Sequence, residues 1–227
     1  MKCAVAIFAK TPEMSPVKTR LAADIGKEHA EAFYRLSVQA IEETFTKVQR
    51  DSEGIIVPYW TLAEELAVNM ENWQSFPAIW TGEGDLGERL HNVSARLFEA
   101  HDMVMLVGTD SPQLSADMIL SALNLARDNP ADCIVGPAHD GGFYLFATMT
   151  PLRNGLLKEV TYSASTTLKE LAGLIENQGR SMLFLNSSLD VDDLDSRRSL
   201  KVELEKAKTS LLPKQIVLLK WIEEICP

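Results

Sequence analysis

The sequence CAVAIFAKTPEMSPVKTRLA, residues 3–22, contains the segment that decides the fold. Its first seven residues are all apolar, as expected of a short strand that is covered on both faces. Apolar residues then recur at helical spacing over residues 27–48, so the chain begins with a strand, a loop and a helix. The loop is basic, and a basic loop that leaves a buried strand is well placed to hold phosphate.

The remaining sequence continues this alternation of strand-like and helix-like segments. Strands are predicted at residues 54–60, 77–80, 103–107, 131–136, 143–147 and 181–185, and helices at residues 61–70, 86–100, 115–127 and 163–177. Ser115 is well placed to cap the third of these helices. The alternation predicts an α/β fold with a mostly parallel central sheet flanked by helices, in a three-layer, Rossmann-like arrangement. In such folds the ligand crevice lies beyond the carboxyl ends of the strands.

The size of the chain predicts its domain organisation. The 227 residues are enough for one sizeable core, and no stretch has the composition of a linker. We therefore expect a single domain over residues 1–227. It would include a helical C-terminal extension at about residues 196–227, broken at Pro213.

Charge and composition restrict the partners and the compartment. The formal net charge of −10 argues against nucleic acid or an anionic membrane as the main partner, because both require a broad basic surface. No stretch reaches the roughly 20 apolar residues of a membrane span. Cys3, Cys133 and Cys226 are far apart in the sequence, which fits a reducing compartment. We expect a soluble cytoplasmic protein.

The three cations of the first loop could surround one polyphosphate. Lys18 and Arg20 lie two residues apart and Lys10 lies at the other end of the loop, so a turn between them would bring their charges together. The loop lacks the glycine-lysine pattern of a Walker A motif, and no G-x-G-x-x-G fingerprint indicates a nicotinamide cofactor. On spacing alone, phosphate binding and a solvated surface loop are equal alternatives.

Two acidic segments contain candidate metal ligands. In VMLVGTDSPQL, residues 104–114, an apolar run leads to Asp110, and a carboxylate in such a crevice is costly without a cation or hydrogen-bond donors. The alternative is that Asp110 only caps a turn before Pro112. LDVDDLD, residues 189–195, could complete a divalent-cation site, or could be a solvated acidic turn before a helix. Its carboxylates are Asp190, Asp192, Asp193 and Asp195.

Two glycine-containing segments follow other predicted strands. GEGDLGERL covers residues 82–90, and GPAHDGGFYL covers residues 136–145. Glycine suits a backbone that passes close to a ligand or turns with positive φ. Either segment could be only a tight turn, and a hairpin would explain the second with no functional role. His139 is of a residue type that is more often a surface residue than a catalyst.

Taken together, five segments resemble a known protein family. They are FAKTPEMSPVKTRLA, GEGDLGERL, VGTDSPQL, GPAHDGGFYL and LDVDDLD, in this order over residues 1 to about 195. The set resembles the bacterial family of uncharacterised glycosyltransferase-like proteins within the nucleotide-diphospho-sugar transferase superfamily. The resemblance implies a GT-A fold and a nucleotide-dependent transferase. The first segment is also similar to that of the phospholactate guanylyltransferases, in which a lysine and an arginine after the first strand face the triphosphate.

The resemblance implies roles for individual residues. Asp110 and Asp192 would bind Mg²⁺ or Mn²⁺, ions that fit hard oxygen ligands without a nearby cysteine-histidine set. Asp110, Lys18 and Asp140 would form the catalytic set. The remaining assignments are Lys10, Lys18, Arg20, Gly84, Asp85 and Gly87 for the nucleotide, and Asp140, Gly141, Gly142 and Tyr144 for the acceptor.

The sequence departs from the family pattern in two segments. Ser15 stands where the family usually has glycine and is followed by Pro16, so the loop backbone is stiffer. Asp193, Leu194 and Asp195 replace the usual threonine, proline and glutamate. Both departures leave a non-catalytic function open.

Three functions are compatible with the sequence. A glycosyltransferase, the first expectation, would move a sugar from a nucleotide sugar to a small-molecule acceptor near residues 140–144. A nucleotidyltransferase would join a nucleoside monophosphate to a phosphorylated small molecule and release pyrophosphate. A non-catalytic nucleotide-binding protein is the third.

Overall fold

In the computed structural model, which describes residues 1–225, a seven-stranded sheet forms the centre of the molecule. Its strands are β1 (Cys3–Ala9), β2 (Ile56–Leu62), β3 (Ala78–Trp80), β4 (Met103–Gly108), β5 (Cys133–Pro137), β6 (Phe143–Thr148) and β7 (Met182–Phe184). The spatial order is β3-β2-β1-β4-β6-β5-β7. Neighbouring strands are parallel, except that β6 is antiparallel to both β4 and β5. The mostly parallel sheet is therefore confirmed.

Seven α-helices accompany the sheet in the described part of the chain. They are α1 (Thr19–Ile25), α2 (Lys27–Asp51), α3 (Leu86–Phe98), α4 (Ala116–Asp128), α5 (Thr167–Glu176), α6 (Leu194–Lys206) and α7 (Pro213–Ile225). Short 3₁₀ helices occur at Glu65–Asn69, Glu71–Trp73 and Leu156–Glu159. Within residues 1–225, none of these helices combines the length and the apolar character needed to cross a membrane.

Helices pack on both faces of the sheet. On one face, α2 and α4 cover alternate residues of β1, including Val5 and Ile7. On the other face, α3 packs over Ala4 and Ala6 of the same strand, and α5 belongs to the same apolar cluster. Because successive side chains of a strand point to opposite faces, an entirely apolar strand such as β1 is buried on both sides. The three-layer α/β/α fold is therefore confirmed.

A third apolar cluster joins the C-terminal helices to the first helices of the chain. Leu200 and Leu204 of α6 and Leu218 of α7 belong to a buried cluster with Leu21 of α1 and Phe33 of α2. This packing places the start of α6 close to the loop that follows β1. The segment before α6, which contains the predicted metal ligand of the last motif, is thereby brought to the carboxyl end of β1.

The helix predicted at residues 61–70 is wrong. Thr61 and Leu62 are the last residues of β2, and only Glu65–Asn69 forms a 3₁₀ helix. The two strand residues pair in register with Phe8 and Ala9 of β1. Pairing with a buried neighbouring strand therefore decides their structure, because strand preference depends strongly on such contacts.

Other helix ends follow local chemistry. The helix predicted at residues 163–177 begins only at Thr167, and Ser163 before it has a left-handed φ of 57°. The two helical pieces expected near the C-terminus are α6 and α7, and Pro213 is the first residue of α7, since the first helical turn tolerates proline. Ser115 caps α4 as predicted, because its Oγ accepts a hydrogen bond from the backbone N–H of Met118 at 3.3 Å. Cys226 lies outside the described residues.

Candidate functional site

A cavity of about 1120 Å³ opens at the carboxyl ends of the strands, where this fold places its ligand crevice. Its walls come from the loops after β1, β3 and β4, the β5–β6 connection and the segment between β7 and α6. The sequence-assigned residues that line it are Lys10, Lys18, Arg20, Gly84, Asp110, Asp140, Gly142, Tyr144 and Asp192. The structure thus brings all five sequence segments to one place.

Three carboxylates meet on one wall of the cavity, and we call them the acidic cluster: Asp110, Asp190 and Asp192. One oxygen from each lies within 4.8 Å of an oxygen from each of the other two. Asp110 follows β4, whereas the other two lie between β7 and α6. Their spacing allows one cation to contact all three side chains.

Hydrogen bonds between two distant segments hold the acidic cluster together. The backbone N–H of Val191 donates to the carbonyl of Asp110 at 3.0 Å. Oγ of Ser111 donates to the carbonyl of Leu189 at 2.7 Å, and this bond is buried. The loop after β4 and the segment before α6 are therefore fixed to each other on both sides of the carboxylates.

The acidic cluster has the chemistry of a site for a hard divalent cation. Its candidate ligands are all carboxylate oxygens, which suit Mg²⁺ and Mn²⁺. Oδ1 of Asp190 is buried without a hydrogen-bond partner among the described residues, which is costly unless a cation is nearby. Burial and then the charge of Asp110 raise the pKa of Asp190 to about 7. These residues fit the metal that the resemblance implies.

The side chain of Lys18 enters the acidic cluster and is only 3% exposed. Its Nζ lies 2.5 Å from Oδ1 of Asp110 and 3.1 Å from Oδ1 of Asp192, and it donates to the carbonyl of Val191 at 2.5 Å. Burial by itself would lower the pKa of this ammonium, but the neighbouring carboxylates outweigh burial and raise the pKa above its ordinary value. Lys18 is therefore a buried and charged partner of the acidic cluster.

The backbone holds Lys18 in this position at a conformational cost. Its φ of 47° and ψ of 44° lie in the left-handed region, where a residue other than glycine costs about 1–2 kcal/mol. Such a conformation persists where surrounding contacts over-determine it. The Lys18 ammonium makes three such contacts, with Asp110, Asp192 and the carbonyl of Val191.

The two other cations of the first loop remain accessible. The side chain of Arg20 is 71% exposed, and its Nη1 lies 3.8 Å from Oδ2 of Asp192. Lys10 is also exposed, while its backbone is fixed by Tyr34. The Lys10 N–H donates to the Tyr34 hydroxyl at 2.8 Å, and this hydroxyl donates to the Lys10 carbonyl at 2.9 Å. Both cations are therefore accessible to a ligand in the cavity, and Arg20 is also within ion-pair distance of the acidic cluster.

In the glycine-rich loop after β3, only part of the predicted nucleotide set reaches the cavity. Gly84 lines it with a φ of 103°. Asp85 instead caps α3, because its Oδ1 accepts from the N–H of Glu88 at 2.9 Å while the Glu88 carboxylate accepts from the Asp85 N–H at 3.1 Å. Gly87 packs against a 3₁₀ helix, where a Cβ would lie 2.6 Å from the carbonyl oxygen of Leu157. Neither of these two residues lines the cavity.

The predicted acceptor segment forms the connection between the antiparallel strands β5 and β6, so the hairpin expected as an alternative is present. Asp140 is exposed, and its Oδ1 accepts from the N–H of Gly142 at 2.9 Å. The positive φ belongs to Gly141, at 92°, and a Cβ there would lie 2.2 Å from the carbonyl oxygen of Ser165. Asp140, Gly142 and Tyr144 line the cavity, whereas Gly141 supports the turn from behind.

Three features of the cavity were missed as site residues in the sequence. Asp190 was one of the four candidate carboxylates of its segment but was not assigned as a ligand, and it completes the acidic cluster; its spacing from Asp192 was a usable signal, because alternate residues of an extended segment share a side. Arg89 of α3 lines the cavity, and its Nε donates to the carbonyl of Gly84 at 3.0 Å. Residues 162–165 add a tyrosine and two serines, and no local pattern marks them.

Comparison with solved structures finds proteins of the same fold. The "putative nucleotide-diphospho-sugar transferase" from Desulfovibrio desulfuricans G20 is similar with a TM-score of 0.82 and 21% identity, over 99% of each chain. A 4-diphosphocytidyl-2C-methyl-D-erythritol synthase from Anaerococcus prevotii DSM 20548 has a TM-score of 0.55 and 10% identity, over 86% of this chain and 94% of that one. A CMP:2-keto-3-deoxy-manno-octonic acid synthetase complexed with CTP has a TM-score of 0.51 and 14% identity, over 92% and 100%. At these identities the similarity shows the fold.

No curated protein matches the chain. The family described as uncharacterized proteins conserved in bacteria, DUF2064, matches residues 44–164, which is more than half of the 227 residues. The matched region includes Asp110 and the β5–β6 connection. The match contains three of the five segments and confirms the bacterial family of uncharacterised proteins that they indicated, and the chain belongs to the DUF2064 family of bacterial proteins.

Proposed function

We propose that this protein is a metal-dependent transferase that uses a nucleotide or a nucleotide sugar. The observation that carries the proposal is the acidic cluster, which shares one wall of the cavity with Lys18 and the accessible Arg20. Carboxylates that can hold a cation, next to a basic loop, suit a polyphosphate ligand. The names of the three similar structures support the same class of ligand.

The acidic cluster and the cations of the first loop, which we call the first wall, would bind the phosphates. Asp110, Asp190 and Asp192 would hold Mg²⁺ or Mn²⁺, which when bound would neutralise charge developing on a phosphate oxygen. Arg20 would contact two further phosphate oxygens through its forked guanidinium, and Lys10 would contact another as a point charge. Local cations of this kind meet a charged ligand without a broad basic surface, in agreement with the net charge of −10.

The β5–β6 connection and residues 162–165, which we call the second wall, would bind the acceptor. Asp140, Gly142, Tyr144 and residues 162–165 line it, so its polar side chains are a carboxylate and hydroxyl groups. Such groups suit a hydroxyl-bearing acceptor, because the carboxylate accepts hydrogen bonds and the serine hydroxyls both donate and accept them. The hydroxyls of Tyr144 and Tyr162 already donate to backbone carbonyls and can accept. Asp140 is exposed to the cavity and would accept the proton of an attacking acceptor hydroxyl.

Glycosyl transfer is the first candidate reaction. The acceptor oxygen would form a bond to the sugar, the bond between the sugar and the nucleotide phosphate would break, and a nucleoside diphosphate would leave. The hydroxyl-lined wall supports this candidate, because both a sugar and its acceptor are rich in hydroxyl groups.

Nucleotidyl transfer is the second candidate, and the charge of the first loop favours it. Lys10, Lys18 and Arg20 all line the cavity, and three cations match the charge of a triphosphate better than that of a diphosphate. In this reaction an acceptor oxygen would attack the α-phosphorus, the bond to the bridging oxygen would break, and pyrophosphate would leave.

A thermal-shift panel of nucleoside triphosphates and nucleotide sugars, with and without Mn²⁺, tests the proposal. We expect at least one of them to raise Tm by several degrees only when Mn²⁺ is present. Assays of the released product then separate the two reactions, since one forms a nucleoside diphosphate and the other pyrophosphate. A panel without any Mn²⁺-dependent stabilisation contradicts the proposal.

A further inference from the structure

The ammonium of Lys18 lies where a cation held by the acidic cluster would lie. It is within 2.5 Å of Asp110 and 3.1 Å of Asp192, and the candidate ligand oxygens of the cluster are within 4.8 Å of one another. A small divalent cation binds carboxylate oxygens at about 2.0–2.1 Å. Because the metal and the ammonium need the same oxygens and repel each other at such short range, they compete.

We propose that Lys18 is an exchangeable counter-ion, which neutralises the acidic cluster in the nucleotide-free protein and moves to the nucleotide phosphates when the metal binds. This inference rests on the proposed function. It adds that the acidic cluster takes its cation together with a polyphosphate instead of as a free ion. A polyphosphate that draws Lys18 away favours metal binding, and by linkage the metal favours polyphosphate binding to the same extent.

Three observations distinguish this role from a permanent structural ion pair. Lys18 is buried, yet it lines the cavity where the phosphates would bind. One ammonium does not satisfy the acidic cluster, because Oδ1 of Asp190 keeps no partner among the described residues. The left-handed backbone of Lys18 is maintained against its cost by contacts that a ligand could replace.

Arg20 provides a matched comparison within the same loop. It also lies near Asp192, at 3.8 Å, but its side chain is 71% exposed and does not enter the acidic cluster. If only the nearby positive charge opposes the metal, removal of either cation should act alike. If Lys18 occupies the metal position, only removal of Lys18 should have a large effect.

Calorimetric titration with Mn²⁺ alone, in the absence of any nucleotide, tests the exchange. The variants are Lys18→Met, which keeps the length of the side chain without its charge, and Arg20→Ala. We expect Lys18→Met to bind Mn²⁺ at least about tenfold more tightly than the wild type. Arg20→Ala should change the affinity by less than about threefold, because the charge of an exposed side chain is screened by solvent.

A measurement on the wild type can still overturn the exchange if Lys18→Met does not fold. Melting curves are recorded with Mn²⁺ alone, with inorganic pyrophosphate alone and with both. Because Mn²⁺ and pyrophosphate bind each other in solution, their free concentrations are kept equal in the separate and the joint measurements. Because each should remove the competitor of the other, we expect the joint increase in Tm to exceed the sum of the separate increases. A joint increase equal to or below the sum overturns the exchange.

The outcomes separate this inference from the proposed function. If Mn²⁺ alone binds the wild type and Lys18→Met equally, the exchange is wrong, and Mn²⁺-dependent stabilisation by a nucleotide would leave the proposed function intact. If Lys18→Met binds no Mn²⁺ and no nucleotide stabilises the wild type in the presence of Mn²⁺, both are wrong.

Discussion

The two walls of the cavity satisfy their polar groups in different ways. On the wall formed by the acidic cluster and Lys18, charges are brought together by contacts between segments far apart in the chain. In the β5–β6 connection, the carboxylate of Asp140 is satisfied within two residues, by the backbone N–H of Gly142. Local hydrogen bonding therefore satisfies the carboxylate of the second wall. The first wall contains a buried carboxylate oxygen, Oδ1 of Asp190, that has no hydrogen-bond partner among the described residues and that a ligand would satisfy.

Neutralising a carboxylate of the first wall should have the largest effect. Asp110→Asn removes a charge from the acidic cluster, so we expect Mn²⁺-dependent stabilisation by nucleotide to disappear and turnover to fall by at least about a hundredfold. Thermal shift, calorimetry and circular dichroism together measure binding and the integrity of the fold. Asp128→Asn, at the exposed end of α4 and outside the cavity, is the control and should keep the Mn²⁺-dependent stabilisation. Unchanged Mn²⁺ and nucleotide binding by Asp110→Asn would contradict the assignment of this wall.

The turn at Gly141, which supports the second wall from behind, should be sensitive to the space around its backbone. Gly141→Val places a β-branched residue at a positive φ with its Cβ 2.2 Å from the carbonyl oxygen of Ser165, and we expect a loss of about 2–4 kcal/mol in the free energy of unfolding. Gly155→Val has a similar φ of 83° but no atom within 4 Å of the added Cβ, so it should lose only about 1–2 kcal/mol. Urea unfolding measures both, and equal losses would show that the contact with Ser165 is unimportant.

Neutralising Asp190 should stabilise the metal-free protein, in contrast to the change at Gly141. The folded pKa of about 7 lies above the value near 4 of an unfolded aspartate, so the folded protein retains a proton that the unfolded chain releases. This contribution to stability is present below about pH 4 and is lost as the pH rises towards 7. Asp190→Asn should therefore gain about 1–2 kcal/mol at pH 8 in EDTA, or about 2–8 °C in Tm.

The pH dependence provides the check on Asp190. The gain in Tm of Asp190→Asn over the wild type should shrink steadily when the melting curves are repeated from pH 8 down to pH 4. A gain that is the same at both ends, or a loss at pH 8, would mean that the buried oxygen carries no unmet charge in the metal-free protein.

The smallest effect is expected at the exposed edge of the first wall. Arg20→Ala should raise the dissociation constant of a bound nucleotide by about tenfold, which corresponds to one charge-assisted contact. Arg20→Lys should recover only part of the affinity, because an ammonium cannot form the two parallel hydrogen bonds of a guanidinium. Lys47→Ala, on α2 and outside the cavity, serves as the control in the same titration. Equal affinity of all three variants would show that Arg20 does not contact the nucleotide.

The positions of the loops could be predicted from the sequence because they follow from strand ends. The apolar runs of β1 and β4 mark buried parallel strands, and the carboxyl ends of such strands lie on one edge of a sheet. The approach of the first loop to Asp110 was therefore expected, and the cavity lies there. The roles assigned to Lys18 and Asp110 in binding and catalysis stay predictions.

The direction of individual side chains could not be predicted, because it depends on contacts made after folding. Lys18 was assigned to phosphate by its charge, but its left-handed backbone and its bond to Val191, 173 residues away, turn the ammonium into the acidic cluster. Asp85 and Gly87 fit the pattern of a ligand-binding loop, but in the structure Asp85 caps a helix and Gly87 makes a packing contact. Similar residue patterns serve local structure and function, and only the surrounding contacts distinguish them.

The bond between Lys18 and Val191 also has a consequence for the order of events during synthesis. A chain emerges from the ribosome from its N-terminus, so β1 and the first loop exist long before the segment that carries Asp190 and Asp192. Until that segment arrives, Lys18 lacks both its partner carbonyl and two of the carboxylates that surround it. The acidic cluster is consequently completed late, and protection of the first loop from proteolysis in ribosome-bound chains of increasing length would report when the last part of the fold has closed.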